Sequence, residues 1–265
     1  FKPIKVDLKE PDEQFSESLE NSIKIRLRSD VKFALYYSKG MDSSLISTFY
    51  EFKNKFFFND QKNWKSDFLK KFKKISYHLD VPVGSLSSYP LWKLAERAKK
   101  SNAKVVISGE GADELFGGYT RYLPVSQEWE LKNKFTSYQY LFNKFYDKYI
   151  DSFAKITSRN DDIELVKQTI KPHFEKFDDP INAMGYADFK IVMPSLLQMG
   201  DRMAAAHGIE DRCPFLDRNL IEFAFSLPHY LKIKNLEQKL LIRNLLMKKN
   251  FFSPLKLQKK GLTIT

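Results

Sequence analysis

The segment Phe33-Ala34-Leu35-Tyr36-Tyr37-Ser38-Lys39-Gly40-Met41-Asp42-Ser43-Ser44 joins an apolar run, a glycine-bearing turn and a series of hydroxyls in that order. Its first five residues show no alternating polar face, as expected for a strand buried on both sides within a parallel sheet. Leu45, Ile46 and Phe49 follow the turn at helical spacing, so the segment reads strand, tight loop, helix. Such a turn aims backbone N–H groups and a helix N-terminus at an anion, and the hydroxyls of Ser38, Ser43 and Ser44 add donors. The loop is not a Walker A motif, because no G-x-x-x-x-G-K-[ST] occurs in the chain.

Working outward, Phe56-Phe57-Phe58 and Val105-Val106-Ile107 are further candidate strands. A helix over about Leu91 to Lys100 precedes the second of these, with Ser87, Ser88 and Pro90 at its start. Phe15, Leu19 and Ile23 predict an earlier amphipathic helix beginning near Pro11 and Asp12. Alternating strands and helices imply an α/β fold, a parallel sheet with flanking helices. Beyond Tyr119 strand signals become rare. Phe135, Tyr138, Phe142, Phe145, Tyr149 and Phe153 mark a helix with an aromatic face for core packing. Asp217 caps a predicted helix carrying Leu220, Ile221, Ala224 and Phe225, stopped by Pro228, and another helix spans about Glu237 to Lys248.

A second chemical feature follows the Val105 to Ile107 run: Ser108-Gly109-Glu110-Gly111-Ala112-Asp113-Glu114-Leu115-Phe116-Gly117-Gly118-Tyr119. Four glycines and three acids at the C-terminal end of a strand lie where open α/β sheets bind ligands. If both loops top adjacent parallel strands, Asp42 and Asp113 supply hard oxygens for one Mg²⁺ facing a polyphosphate.

Composition sets outer limits. The 265 residues carry 44 Lys plus Arg against 33 Asp plus Glu, a net charge of +11. A hydrophobic fraction of 43%, with 23 Phe and 13 Tyr, excludes a disordered chain. No apolar run approaches the ~18 residues of a membrane span, and FKPIKVDLKE lacks a signal-peptide core. Opening on Phe1 rather than Met, the sequence reads as part of a longer polypeptide. One cysteine, Cys213, excludes an internal disulfide and fits a reducing compartment, the cytoplasm. His78, His173, His207 and His229 show no metal-binding spacing. The basicity is local: Lys53 to Lys74 hold 8 Lys and 2 Asp, and Lys239 to Thr265 hold 7 Lys plus Arg and no acid. Composition alone leaves open a nucleic-acid surface or a solvated lysine-rich one.

The SxGxDSS loop and SGEGADELFGGY together resemble the synthetase domain of class B, glutamine-hydrolysing asparagine synthetases, within the PP-loop ATP pyrophosphatase group. Residues 200–217, GDRMAAAHGIEDRCPFLD, are similar to that family's DRMSMAHGLExRxPFLD segment. Lys239 with Arg243 resembles its K-x-x-L-R pattern, and Leu257-Gln258-Lys259-Lys260-Gly261-Leu262 its R-x-K-x-G-F loop.

The resemblance implies an adenine nucleotide alpha hydrolase-like PP-loop fold, with residues 1–120 as the ATP-binding core and 121–265 as a mainly helical part. It implies an ATP-dependent ligase that adenylates a carboxylate, releases pyrophosphate and transfers ammonia, with aspartate as the expected acceptor. ATP and Mg²⁺ are the implied cofactors. Glu110 and Lys259 match catalytic positions. Ser38, Lys39, Gly40, Asp42, Ser43, Ser44, Ser108 and Gly109 match the ATP and pyrophosphate site, Asp42 and Asp113 the metal site. Gly111, Tyr119, Asp201 and Arg202 match substrate-binding positions. The expected partners are small molecules, with a glutaminase domain or subunit outside the chain, room for a homodimer, and neither nucleic acid nor membrane favoured.

The chain departs from the pattern at Lys39, which replaces a glycine, at Ala204, which replaces a serine, and at Leu257 and Leu262, which replace Arg and Phe. Between Phe58 and Pro82 it is shorter than the family. β-Lactam, carbapenam, lasso-peptide and polysaccharide-amidating enzymes reuse this domain on other acceptors. A tRNA-modifying PP-loop enzyme and a nucleotide-binding homologue without turnover are the remaining readings.

Overall fold

The computed structural model describes residues 6–58, 63–82, 84–132, 137–154 and 160–256. In chain order the helices are α1 (Pro11–Arg26), α2 (Met41–Phe49), α3 (Trp64–Leu79), α4 (Ser88–Lys100), α5 (Ala112–Phe116), α6 (Tyr122–Lys132), α7 (Tyr138–Ala154), α8 (Asn160–Phe174), α9 (Pro180–Ile191), α10 (Met193–Ala205), α11 (Arg218–Ser226) and α12 (Leu240–Lys248). The strands are β1 (Phe33–Tyr36), β2 (Lys55–Phe56), β3 (Val105–Ile107), β4 (Glu210–Arg212), β5 (Ile233–Lys234) and β6 (Glu237–Gln238). The chain divides into two compact units. One holds Asp12–Glu110, Ser195–Leu220 and Ile242 onward; the other holds the chain up to Pro11, Gly111–Pro194 and Ile221–Leu241.

The first unit contains a four-stranded parallel sheet in the order β2-β1-β3-β4. Leu35 pairs with Ile107, and Val106 with Asp211, so the loops after β1 and β3 leave neighbouring strands at the same edge. Ala34, Tyr36, Val106, Leu94, Ala98 and Ala204 form one buried cluster, which places α4 and α10 on one face of the sheet. Burying apolar area on this scale stabilises by roughly 25 cal/mol per Å². Phe15, Leu19 and Ile23 are buried along α1, as their four-residue spacing predicts. Arg212 Nη1 donates to the carbonyls of Arg26 and Arg28, satisfying acceptors at the end of α1.

In the second unit, Tyr122, Trp129, Phe145, Tyr149, Phe174 and Met184 belong to one core that draws on α6 through α9. Helix α9 begins with Asp179 accepting from Asn182 N at 2.8 Å and Pro180 in the first turn, a matched start signal. The amine of Lys232 is buried, 2.5 Å from Asn182 Oδ1, and burial pushes it down to about 7.

Four expectations require adjustment. The second strand is Lys55–Phe56 rather than Phe56 to Phe58. The predicted 91–100 helix starts three residues earlier, at Ser88. The helix expected from Glu237 begins at Leu240, because Asn235 and Leu236 both take positive φ (51° and 65°) and turn the chain into a β5–β6 hairpin. Two successive positive-φ residues are what a two-residue hairpin turn demands. Strand β4 also lies in the region expected to be helical, and it completes the sheet. Asp217 does cap α11, accepting from Asn219 N at 3.0 Å. Of the aromatic stripe, Phe145 and Tyr149 are buried. Phe135 lies outside the described residues, as do the side chains of Tyr138, Phe142 and Phe153. Among the described residues no helix is long and apolar enough to cross a membrane.

Candidate active site

The loop between β1 and α2 is organised by its own hydroxyls. Ser43 Oγ accepts from Ser38 N at 3.1 Å, lies 3.1 Å from Ser38 Oγ, and donates to Gly40 O at 3.3 Å. Ser38 Oγ accepts from Gly40 N at 3.2 Å, while Ser44 Oγ donates to Tyr37 Oη at 3.4 Å. Ser43 and Ser44 are buried and serve the loop's shape; Ser38 is exposed, and Gly40 and Asp42 are partly exposed. Gly40 stands at the N-cap of α2 with no side-chain cap bond. Lys39 adopts φ +62°, the left-handed conformation that glycine takes without cost. A residue with a Cβ is disfavoured there by ~1–2 kcal/mol. Its ammonium lies 4.6 Å from the Phe57 ring centroid, a cation–π contact that offsets part of this.

The loop after β3 comes against this one. A Cβ on Gly109 would stand 3.1 Å from Asp42 Cβ and 3.4 Å from Ser43 N, so the glycine permits the close approach. Ser108 is buried, donating its N–H to Arg212 O at 3.0 Å, with Oγ 3.3 Å from Cys213 Sγ. Beneath it, burial pushes the Asp211 carboxyl up to about 7, opposed by a hydrogen bond from Ser108 and reinforced by the charge of Asp201. Burial likewise pushes the Cys213 thiol far up, leaving an inert sulfhydryl. Glu110 is partly exposed at the end of this unit. Asp201 and Arg202 are exposed on α10, and Arg202 Nη2 pairs with Asp80 Oδ2 at 3.2 Å. Lys259 lies outside the described residues.

The rest of the SGEGADELFGGY segment belongs to the helical unit. Gly111 starts the five-residue α5 in a left-handed conformation (φ 93°), and Gly117 ends it in another (φ 71°). Asp113 Oδ1 is 2.6 Å from the ammonium of Lys239, whose side chain is only 3% exposed. A Cβ on Gly118 would fall 1.9 Å from Asp113 Oδ1 and 2.2 Å from Lys239 Cε, so this ion pair occupies the space that glycine vacates. Glu114 points inward and accepts from the Tyr119 hydroxyl; burial pushes its carboxyl up to about 7, with the Tyr119 bond opposing. Arg121 lies over the Tyr119 ring at 4.1 Å and donates to Asp188, which is fully buried.

The sequence names Asp113 and Tyr119 as candidates but does not show what holds them. Glu114 was readable as one of three clustered acids, and Lys239 stood in a recognised pattern, yet neither pattern revealed a partner. Asp188, Arg121 and Asp211 carried no signal, since their partners are brought to them only by the fold.

Comparison with known proteins places these features in a family. The asparagine synthase family model matches residues 60–250, which include both the 108–119 loop and the 200–217 segment. Asparagine synthetase [glutamine-hydrolyzing] 1 of Bacillus subtilis (strain 168) is 27% identical over 304 aligned positions, covering 92% of this chain and 48% of the relative. Amidase chyE of Penicillium rubens is 24% identical over 312 positions (83% of this chain, 46% of the relative). Amidase chry2 of Gibberella zeae is 24% identical over 211 (62% and 31%). The chain spans about half or less of the length of these relatives. The first two alignments are longer than the chain itself, so both relatives carry insertions that it lacks. On the breadth of the family match, the chain belongs to the asparagine synthase family.

Proposed function

We propose that the chain is the synthetase portion of an ATP-dependent ligase that activates a carboxylate as its adenylate and passes it to ammonia. The observation that carries this reading is the pair of loops at one edge of the sheet, where Gly109 lets the β3 loop close on Asp42 at the start of α2. Helix α2 directs its N-terminal N–H groups toward an anion, which suits a polyphosphate. In the adenylation step a carboxylate oxygen attacks the α-phosphorus, the bond to the β,γ-pyrophosphate breaks, and the nitrogen of ammonia later displaces AMP from the acyl group. Gly40 and Ser38 would contact the departing pyrophosphate. Lys259 would balance its growing charge, and Glu110 would take the proton released by ammonia.

The donor chemistry of Asp42 and Asp113, two carboxylates, fits Mg²⁺, which prefers hard oxygen ligands. A bound Mg²⁺ would neutralise the phosphate oxygens. The Lys239 ammonium keeps Asp113 oriented and shares its charge with any cation there. Aspartate is the proposed acceptor, with Asp201 and Arg202 toward its amino acid group, and ammonia would come from a glutaminase domain or subunit outside the given chain. A reducing compartment, the cytoplasm, suits the single cysteine.

A second reading keeps the chemistry and changes the acceptor, as favoured by the relatives named amidases. Pyrophosphate release, measured with ATP, Mg²⁺ and a panel of carboxylates with and without ammonium, tests both. Release with aspartate supports the first reading and release with another carboxylate only supports the second. No release with any acceptor, from folded protein that binds ATP, refutes both.

A further inference from the structure

Helix α5 has five residues, little more than one turn, and a helix this short does not hold its own position. Asp113 therefore depends on anchors elsewhere. One is Lys239. A second starts from residues that no motif contains. Asp188 on α9 has no exposed surface and would be costly to bury without donors. It receives three: the hydroxyl of Tyr122, the hydroxyl of Tyr149 at 2.7 Å, and Arg121 Nη2 at 2.6 Å. Only Arg121 brings a positive charge, and its guanidinium also lies 4.1 Å from the Tyr119 ring centroid. The Tyr119 hydroxyl is committed to Glu114, the neighbour of Asp113. An unbroken line of contacts thus runs Asp188, Arg121, Tyr119, Glu114.

We propose that Arg121, held by Asp188, is a positioning residue that fixes Tyr119 and through it the 113–119 segment for Mg·ATP. This rests on the ligase reading above. Arginine suits the link because a planar guanidinium can bond a carboxylate at its edge while stacking on a ring with its face; lysine can do only the first. Tyr119 then acts as a rigid strut, since its hydroxyl is turned to Glu114.

The test is a double-variant cycle. Arg121→Met should lower kcat for pyrophosphate release by about tenfold to a hundredfold, the range for a misplaced site. Arg121→Lys, which retains the ion pair but not the stack, should recover only part of it. Tyr119→Phe should lower kcat alone, and Arg121→Met combined with Tyr119→Phe should be no worse than Arg121→Met, because both cut the same line. Tyr149→Phe removes a bond to the same Asp188 without touching Tyr119, and should lower Tm while leaving kcat unchanged. Losses that multiply in the double variant, or a fall in Tyr149→Phe equal to that in Arg121→Met, overturn the inference. If the wild type releases no pyrophosphate, the ligase reading fails. The same cycle is then read in the equilibrium Kd for Mg·ATP, where independent effects, or no effect of Arg121→Met, overturn the positioning role by itself.

Discussion

Replacing Gly118 with alanine should be among the most damaging single-methyl changes in the chain. The added Cβ would stand 1.9 Å from Asp113 Oδ1 and 2.2 Å from Lys239 Cε, each more than an ångström inside ordinary contact. The two atoms belong to an ion pair of 2.6 Å, so one partner must leave. Lys239 is 3% exposed, so its side chain is packed on nearly all sides. Removing one partner of a buried pair costs about 3–5 kcal/mol. Asp113 is 24% exposed, and water can take over part of its solvation, which puts the loss near the lower end, about 3 kcal/mol. At roughly 2–4 °C per kcal/mol for a domain of this size, Tm should fall by about 6–12 °C in thermal unfolding. Pyrophosphate release should fall with it, since Asp113 is displaced. Gly109→Ala is the calibrating control: its Cβ would meet Asp42 Cβ at 3.1 Å, a contact relieved by a few tenths of an ångström, at about 1 kcal/mol. A Gly118→Ala protein melting within about 2 °C of wild type, or no less stable than Gly109→Ala, would refute the packing argument.

Asp42→Asn should abolish pyrophosphate release, and Asp113→Asn should abolish release and also lower Tm, because Lys239 loses its counter-ion; appreciable turnover in either variant contradicts the metal assignment. Lys39→Gly should match or exceed wild-type stability in urea unfolding, by up to about 1 kcal/mol, as the left-handed strain is relieved. Lys39→Ala retains that strain and loses the Phe57 contact, so it should be weaker by roughly 0.5–1 kcal/mol; the reverse order would show that neither term governs the loop. Asp211 retains its proton in the native state up to about pH 7, against an ordinary value near 4, so its contribution favours folding at acid pH and is lost as pH rises through 7. Asp211→Asn should remove that part of the decline between about pH 4 and 7, and an unchanged pH profile would show that the carboxyl ionises normally.

How much of the fold could be read depended on whether a residue's role was local. The 33–44 segment was legible because a buried strand, a turn and a helix start each leave their mark within a few residues. Val105 to Ile107 matched to the residue for the same reason. Strand β4 was not legible: Glu210, Asp211 and Arg212 are polar, and they form a strand because β3 offers a free edge, a fact about tertiary structure. The β5–β6 hairpin was hidden differently. Its turn uses Asn235-Leu236, and leucine at positive φ runs against every turn preference read from sequence.

The site divides along the same line. Glycines at 109, 111 and 117 are legible as points where the backbone must approach closely or turn left-handed, because only glycine meets that demand cheaply. Charged residues are ambiguous one at a time. Asp113 looked like a candidate ligand and Asp188 like nothing, yet in the structure both are carboxylates answered by a basic side chain, Lys239 for one and Arg121 for the other. The two basic residues are 126 and 67 positions distant from their partners in sequence, too far for any spacing rule. Departures from a family pattern are ambiguous for the same reason. Lys39 reads as damage to a phosphate loop until Phe57 is seen beneath its ammonium, where a strained backbone is partly compensated by a contact that glycine could not make. Motifs thus mark where this chain's backbone is constrained, and what those constraints are worth is set by partners that the motifs do not contain.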